Sequence, residues 1–163
     1  MNTKSLNSGT WLVVTCAAAA VGLATFALPA SSEGTAAEPA IAKAADDAAL
    51  AWGGCPDFLP AGCAIAVLHG DPSKPNVDIL FRVPANSEIA PHTHTSAERM
   101  VLVAGEMHVT YDGQPAVRLT PGTYAYGPAG RAHRATCTSD VPCVLFIAFE
   151  SPLDAMPVGA AGR

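Results

Sequence analysis

Positive charge is scarce in this sequence and is nowhere concentrated. The 163 residues include 9 lysines and arginines against 14 acidic residues, so the formal net charge at pH 7 is −5. No run of lysine or arginine occurs anywhere along the chain. Nucleic acid is therefore not expected as a partner.

Long apolar runs are absent after the first thirty residues. Residues 11–28 form an uncharged apolar stretch that follows Lys4 and ends at Leu28-Pro29-Ala30. This pattern predicts a secretory signal peptide over residues 1–30, so that the cleaved protein is periplasmic or secreted and does not contact the membrane. The alternative is a retained membrane anchor, because the run is about long enough to span a bilayer. Cleavage would leave a net charge of −6, since only Lys4 is lost.

Only five cysteines occur, and four of them follow the predicted cleavage point: Cys55, Cys63, Cys137 and Cys143. An even number of cysteines in an exported chain predicts disulfides. Pairing within each local couple is the simplest of the three connectivities. Free thiols and a zinc site are the alternatives, although these spacings are wider than the close pairs that structural zinc sites use.

No helical periodicity and no internal repeat follow residue 50, and the length is that of one domain. Residues 31–51 are rich in alanine and are predicted to be a flexible tether, residues 52–151 to be the folded domain, and residues 152–163 to be a loose tail. Short apolar runs broken by turn residues fill the domain. They are Ala64–His69, Val77–Val83, Glu88–His94, Arg99–Val103, Glu106–Tyr111, Ala116–Leu119, Thr123–Tyr126, His133–Thr138 and Val144–Glu150.

Nine short strands at this spacing predict an all-β sandwich or barrel. Asp112-Gly113 between two of the runs is typical of a hairpin turn. Since side chains alternate along each strand, the interior of a small barrel is able to hold one ligand.

Three histidines and one glutamate are grouped in and beside these strands. His92 and His94 are two residues apart, so on a strand they point to the same face. Glu98 follows four residues later, and His133 comes after a turn rich in glycine and proline. Three imidazoles and one carboxylate from neighbouring strands predict a site for one divalent transition metal, and this donor set suits zinc, iron, manganese, nickel and copper.

Two segments resemble the motifs of the cupin superfamily. Residues 86–105, NSEIAPHTHTSAERMVLVAG, resemble G-x5-H-x-H-x3–4-E-x6-G, with His92, His94, Glu98 and Gly105 in register. Residues 122–137, GTYAYGPAGRAHRATC, resemble G-x5-P-x-G-x2-H-x3-N, where Gly122, Pro128, Gly130 and His133 agree. The short segment between the motifs is similar to that of small single-domain bacterial cupins of the conserved-barrel type.

Two positions depart from these motifs. Asn86 stands where the first motif has glycine, and asparagine tolerates positive φ better than other residues. Cys137 stands where the second motif has asparagine, which does not bind metal in the family. The expected ligand set is therefore unaffected.

The resemblance implies a double-stranded β-helix, also called a jelly-roll barrel. It implies His92, His94, Glu98 and His133 as metal ligands, and a homodimer as a frequent assembly. Cupins include dioxygenases, decarboxylases, isomerases, binding proteins and sensors, so the fold alone does not select a reaction.

Two functions follow as expectations. The first is a metal-dependent oxidoreductase of the dioxygenase kind that acts on a small molecule, with Glu98 either as a ligand or as a catalytic general base. The second is a non-catalytic cupin that binds or senses a small ligand or a metal. Strand parity points His108 away from the interior, unless a bulge at Gly105 resets it. Tyr124 and Tyr126 either pack between the sheets or line the mouth of the pocket.

Overall fold

The structure is a computed structural model that describes residues 37–159. The predicted signal peptide, Cys16 and the ends of the predicted tether and tail lie outside these residues. The chain divides into two compact units at Pro39. Residues 37–39, the described part of the first unit, are exposed and have no regular secondary structure. The second unit begins at Ala40 and contains all the strands.

Residues 37–159 contain eleven strands and no helix. No helix long and apolar enough to cross a membrane is therefore found in this part of the chain. The strands are β1 (Trp52–Gly54), β2 (Ala64–His69), β3 (Val77–Val83), β4 (Glu88–Thr93), β5 (Glu98–Ala104), β6 (Met107–Tyr111), β7 (Val117–Leu119), β8 (Tyr124–Gly127), β9 (His133–Cys137), β10 (Cys143–Phe149) and β11 (Met156–Pro157).

The strands form two antiparallel sheets. One has six strands in the order β1-β2-β3-β10-β5-β8, and the other has five in the order β11-β4-β9-β6-β7. Strands distant in sequence are neighbours, as where β10 pairs with both β3 and β5. This is the all-β architecture that the strand pattern predicts and the jelly-roll barrel that the cupin resemblance implies, so the predicted fold class is confirmed.

The core lies between the sheets and follows the alternation of each strand. In β5, Met100 and Leu102 are buried, whereas Arg99 and Val103 point outward. The opposite sheet contributes Met107, which is fully buried. Burial of the alternating apolar residues drives this arrangement, because each sheet covers the apolar face of the other.

All nine runs predicted from the sequence are strands, with ends that differ by a residue or so. Two strands were not predicted, β1 and β11, which are three and two residues long. Residues 152–159 are not a loose tail, because β11 pairs with β4 at the edge of the five-stranded sheet. So short a strand, with a proline as its second residue, gives no periodic signal in the sequence.

The outer face of the six-stranded sheet carries a second, smaller apolar cluster. Ala66, Leu80 and Val144 are buried there, and Ala45 and Leu50 of the alanine-rich segment pack against them. The described part of the predicted tether is therefore partly attached to the sheet. Tyr124 and Tyr126 remain 60% and 51% exposed on β8, so neither of the two roles expected for them is seen.

The four cysteines form two local disulfides, Cys55–Cys63 and Cys137–Cys143. The first closes the loop between β1 and β2. The second joins the end of β9 to the start of β10, and thus connects the two sheets at a buried position. Asn86 adopts a φ of 54°, so it occupies the left-handed conformation for which the family motif has glycine.

Candidate metal centre

The histidines and glutamate singled out in the sequence lie at one end of the sandwich. His92 is in β4, His94 directly follows β4, and His133 is the first residue of β9. The register pairs His92 with His133 across β4 and β9. Glu98 begins β5 in the opposite sheet. The site therefore spans both sheets, with three residues from one and the carboxylate from the other.

The three imidazoles converge. One ligand atom from each of His92, His94 and His133 lies within 4.8 Å of the other two. The ring centroids of His92 and His133 are 4.2 Å apart, and those of His92 and His94 are 4.8 Å apart. All three residues are buried, with 6–9% of their surface exposed.

Backbone carbonyls fix the orientation of each ring. The Nδ1–H of His92 donates to the oxygen of Ala90 at 2.8 Å, and that of His133 donates to the oxygen of Arg131 at 3.1 Å. The Nδ1–H of His94 donates to the carbonyl oxygen of Asp154. Since a carbonyl oxygen only accepts, each ring carries its proton on Nδ1 and has its lone pair on Nε2.

Glu98 lies beside two of the rings. Its Oε1 is 3.3 Å from the Nε2 of His94, and its Oε2 is 3.4 Å from the Nε2 of His133. The Nε2 of His94 nevertheless has no hydrogen-bond partner. The carboxylate therefore faces the same space as these two ring nitrogens and leaves the Nε2 of His94 without a hydrogen bond.

Burial sets the charge of these groups. It lowers the pKa of His92 and His94 below the usual value, and it lowers the pKa of His133 to about 4, with neighbouring His92 adding to the effect. Burial likewise raises the pKa of Glu98 to about 8. The histidines are thus neutral at physiological pH, which is the form that binds metal ions.

Tyr111 belongs to the same site, although it was not among the residues predicted from the sequence. It ends β6, pairs with His133 in the register, and places its ring 5.0 Å from that of His133. Its hydroxyl is buried without a hydrogen-bond partner. Burial raises the pKa of this hydroxyl, and nearby Glu98 raises it further. The only sequence signal was its position at the end of a strand before the Asp112-Gly113 turn.

Two cavities reach the cluster from different sides. One, of about 280 Å³, touches His92, His94 and Glu98. Its apolar walls are formed by Leu59, Ile65, Ile79, Phe81, Ile147 and Phe149. The other, of about 510 Å³, touches Tyr111 and His133 and is lined by polar residues such as Asp112 and Arg134.

These residues fit a divalent transition metal. The donor set is three neutral imidazoles beside a carboxylate, which suits ions such as zinc, iron or manganese. The buried Nε2 of His94 has no partner, which is costly unless something else binds it. The four residues predicted as ligands are therefore brought together, although the 4.8 Å cluster itself comprises only the three histidines. His108 is exposed on β6 and takes no part in the site.

Comparison with known proteins agrees with the fold. The sequence profile of the family described as the ChrR cupin-like domain matches residues 42–152. A cupin of the RmlC-like type from Shewanella frigidimarina has a similar structure, with a TM-score of 0.53 and 22% identity over 64% of this chain and 86% of the other.

The chain is also similar to dimethylsulfoniopropionate lyase DddQ of Ruegeria pomeroyi. The two sequences are 33% identical over 76 residues, which is 47% of this chain and 37% of the relative. The crystal structure of that lyase has a TM-score of 0.58 and 24% identity, covering 70% of this chain and 64% of the other. This chain thus spans less than half the length of the curated relative in the sequence alignment. These relatives give no support to the dioxygenase chemistry expected from the sequence.

Proposed function

The chain belongs to the ChrR cupin-like family within the cupin superfamily, and we propose that it is a metal-dependent lyase acting on a small organic acid. One observation carries this proposal. Three buried, neutral histidines present their ring nitrogens to one point, beside a carboxylate and next to an apolar cavity of about 280 Å³. The similarity to a dimethylsulfoniopropionate lyase supports this reaction class.

The cavity favours a small substrate that places apolar groups, such as the methyl groups of a leaving group, against the apolar walls and has one acidic end. Among the described residues around it, none is lysine or arginine. A substrate carboxylate therefore finds no side-chain cation there, and its favourable position is beside the divalent ion that the histidine cluster would hold. The apolar walls exclude water, which strengthens electrostatic interactions inside the cavity.

The proposed reaction is an elimination. An oxygen of the Glu98 carboxylate takes the proton from the carbon next to the substrate carboxylate. The electron pair of that C–H bond forms a carbon–carbon double bond, and the leaving group departs from the next carbon with its own bonding pair. A sulfonium is a leaving group of this kind, because it departs as a neutral sulfide.

A divalent ion held by His92, His94 and His133 would supply a Lewis acid for the substrate carboxylate and positive charge that favours ionised Glu98. The chain itself supplies the orientation of the rings through their Nδ1 bonds. It also supplies the base and a cavity with apolar walls. Tyr111 adds a hydroxyl that is free to donate to a charged group at the cluster.

The test is to load the full-length chain with zinc, iron(II) or manganese and to supply dimethylsulfoniopropionate. Lyase activity predicts acrylate in solution and dimethyl sulfide in the headspace, with no oxygen consumed. Glu98→Gln is expected to lower the rate by about 100-fold or more, because general-base catalysis contributes on that order. His108→Ala is the matched control, since this exposed histidine lies outside the site.

Other results would support a different function. Oxygen uptake with catechols, flavonols, thiols or diketones would restore the dioxygenase hypothesis. Metal and ligand binding without turnover of any substrate would leave a binding or sensing cupin. A cleaved signal peptide, a periplasmic or secreted location and a homodimer stay predictions from the sequence.

A further inference from the structure

The three histidines of the site are oriented by carbonyls from very different places in the chain. His92 and His133 each bond to the carbonyl two residues before them, so these contacts are local. The partner of His94 is the carbonyl of Asp154, which is 60 residues further along the chain. Only this ring depends on a distant segment for its orientation.

That segment is the C-terminal strap, which we define as residues 151–158. Its strand β11 pairs with β4, placing Pro157 opposite His92. Two further backbone bonds hold it. The N–H of Leu153 donates to the oxygen of Pro72, and that of Val158 donates to the oxygen of Pro91, both at 2.9 Å. Leu153 also forms part of the wall of the apolar cavity.

The Asp154 side chain attaches the strap next to the site. Its Oδ1 accepts the backbone N–H of Thr95 at 2.9 Å, and its Oδ2 accepts the Thr95 hydroxyl at 2.7 Å. Thr95 directly follows His94 in the sequence. The same residue of the strap therefore holds the backbone beside His94 with its side chain and the ring of His94 with its carbonyl.

We propose that Asp154 is a positioning residue, whose carboxylate fixes the strap on Thr95 so that its carbonyl holds His94 with Nε2 turned toward the metal. The proposal rests on the proposed function insofar as it takes the cluster to be a metal site. Partners of this kind orient ligating histidines and fix their tautomer. Here one ligand of three depends on the attachment of the strap, while His92 and His133 do not.

The experiment compares full-length wild type with Asp154→Ala, Asp154→Asn and Asp47→Ala. Asparagine retains an oxygen for the Thr95 N–H and an amide for its hydroxyl, so it tests hydrogen bonding separately from charge. Asp47 is the matched control, because its carboxylate also accepts a backbone N–H, from Ala49 at 2.8 Å, in an exposed turn. Two measurements are made: imidazole ¹⁵N spectra of metal-free protein, and zinc affinity by competition with a chelator.

In Asp154→Ala, we expect His94 to lose its single Nδ1–H tautomer while the signals of His92 and His133 stay unchanged. Zinc affinity should fall by about 10- to 100-fold, as is usual when such a partner is lost. Asp154→Asn should stay close to wild type, and Asp47→Ala should match it. If Asp154→Ala does not fold by circular dichroism, Thr95→Val takes its place, since it removes one of the two side-chain bonds.

An unchanged His94 tautomer in the alanine variant would overturn the proposal, and so would equal changes in all three histidines. Failure of wild type to bind any divalent metal would instead overturn the proposed function. The spectra of the metal-free protein would still decide the role of Asp154, so the two failures are distinguishable.

Discussion

Glu98 lies directly opposite Gly127 in the ladder between β5 and β8. A Cβ atom at Gly127 would stand 3.0 Å from the Oε2 of Glu98 and 2.7 Å from the hydroxyl of Tyr111. Both distances are shorter than a normal van der Waals contact. The missing side chain at residue 127 therefore makes the space in which the carboxylate and the tyrosine hydroxyl face the histidines.

Gly127→Ala is expected to displace Glu98 and Tyr111 while the barrel stays folded. Overpacking of this kind costs about 1–3 kcal/mol of stability. Its larger effect should be on metal affinity and turnover, because the carboxylate moves relative to the rings. Gly53→Ala is the control, since a Cβ there meets its nearest atom at 3.8 Å. Wild-type metal affinity together with wild-type turnover in Gly127→Ala would contradict this account of the glycine.

Glu98→Gln is expected to stabilise the metal-free protein at alkaline pH. The pKa of Glu98 is about 8 in the folded protein against 4.5 for the free side chain. The unfolded chain therefore releases this proton at lower pH than the folded protein, and stability is lost as pH rises from 4.5 to 8. Glutamine removes that loss, so the gain should be on the order of a few kcal/mol above pH 8 and near zero below pH 4.5.

Urea unfolding at a series of pH values measures this difference. The buried histidines have the opposite effect on the pH dependence of stability. Because their pKa is lowered in the folded protein, the folded state loses stability when the pH falls below the ordinary histidine pKa. They are present in both proteins, so their contribution cancels in the comparison. Parallel curves for wild type and Glu98→Gln would show that Glu98 is already ionised without metal.

His92→Ala combined with His94→Ala is expected to abolish stoichiometric metal binding. Wild type should hold about one divalent ion per chain, and the ion should raise the melting temperature. Binding should weaken as pH falls from the ordinary histidine pKa toward about 4, because burial lowers the pKa of all three imidazoles and protons compete for them only at lower pH. Elemental analysis after removal of loosely bound ions provides the stoichiometry. His108→Ala should retain the ion, and equal metal content in the double variant and wild type would exclude this site.

Because both disulfides are formed, the four cysteines are expected to resist alkylation in denaturant until a reductant is added. Each disulfide closes a short loop, so each should contribute roughly 2–3 kcal/mol to stability. Reduction of Cys55–Cys63 should also reduce ligand binding, because Leu59 lies within that loop and lines the apolar cavity. Mass spectrometry of non-reduced peptides checks the pairing. A peptide joining Cys55 to Cys137 would contradict the connectivity.

The strands and the placement of His92 and His94 on one face were predictable because they rest on patterns of short range. The jelly-roll topology and the place of Glu98 and His133 in the site were instead implied by the resemblance to the cupin motifs. Alternation within each run identified the strands, and the spacing of His92 and His94 placed both rings on one face. Departures from the motifs were equally readable, as Asn86 does adopt positive φ. These features depend on neighbours in sequence, so no knowledge of the packing was needed.

Contacts between distant segments account for what the sequence did not predict. Tyr111 reaches the site only because β6 pairs with β9, and Asp154 reaches it only because a two-residue strand adds to the sheet edge. Tyr124 and Tyr126 looked like pocket or core residues, yet they lie on the outer face of β8. In each case the position of the residue depends on which strands pair with one another. The alternation of side chains within one strand does not reveal its neighbouring strand.

The division of the site between two sheets has a mechanical consequence. His92 and His133 are tied by the hydrogen bonds of one ladder, so their mutual distance is as stiff as the sheet itself. Glu98 belongs to the other sheet, and its distance to the rings is set by the thickness of the apolar layer between the two. A change in the volume of core side chains therefore changes the separation between the two sheets. It moves the carboxylate toward or away from the imidazoles and leaves the distance between His92 and His133 intact.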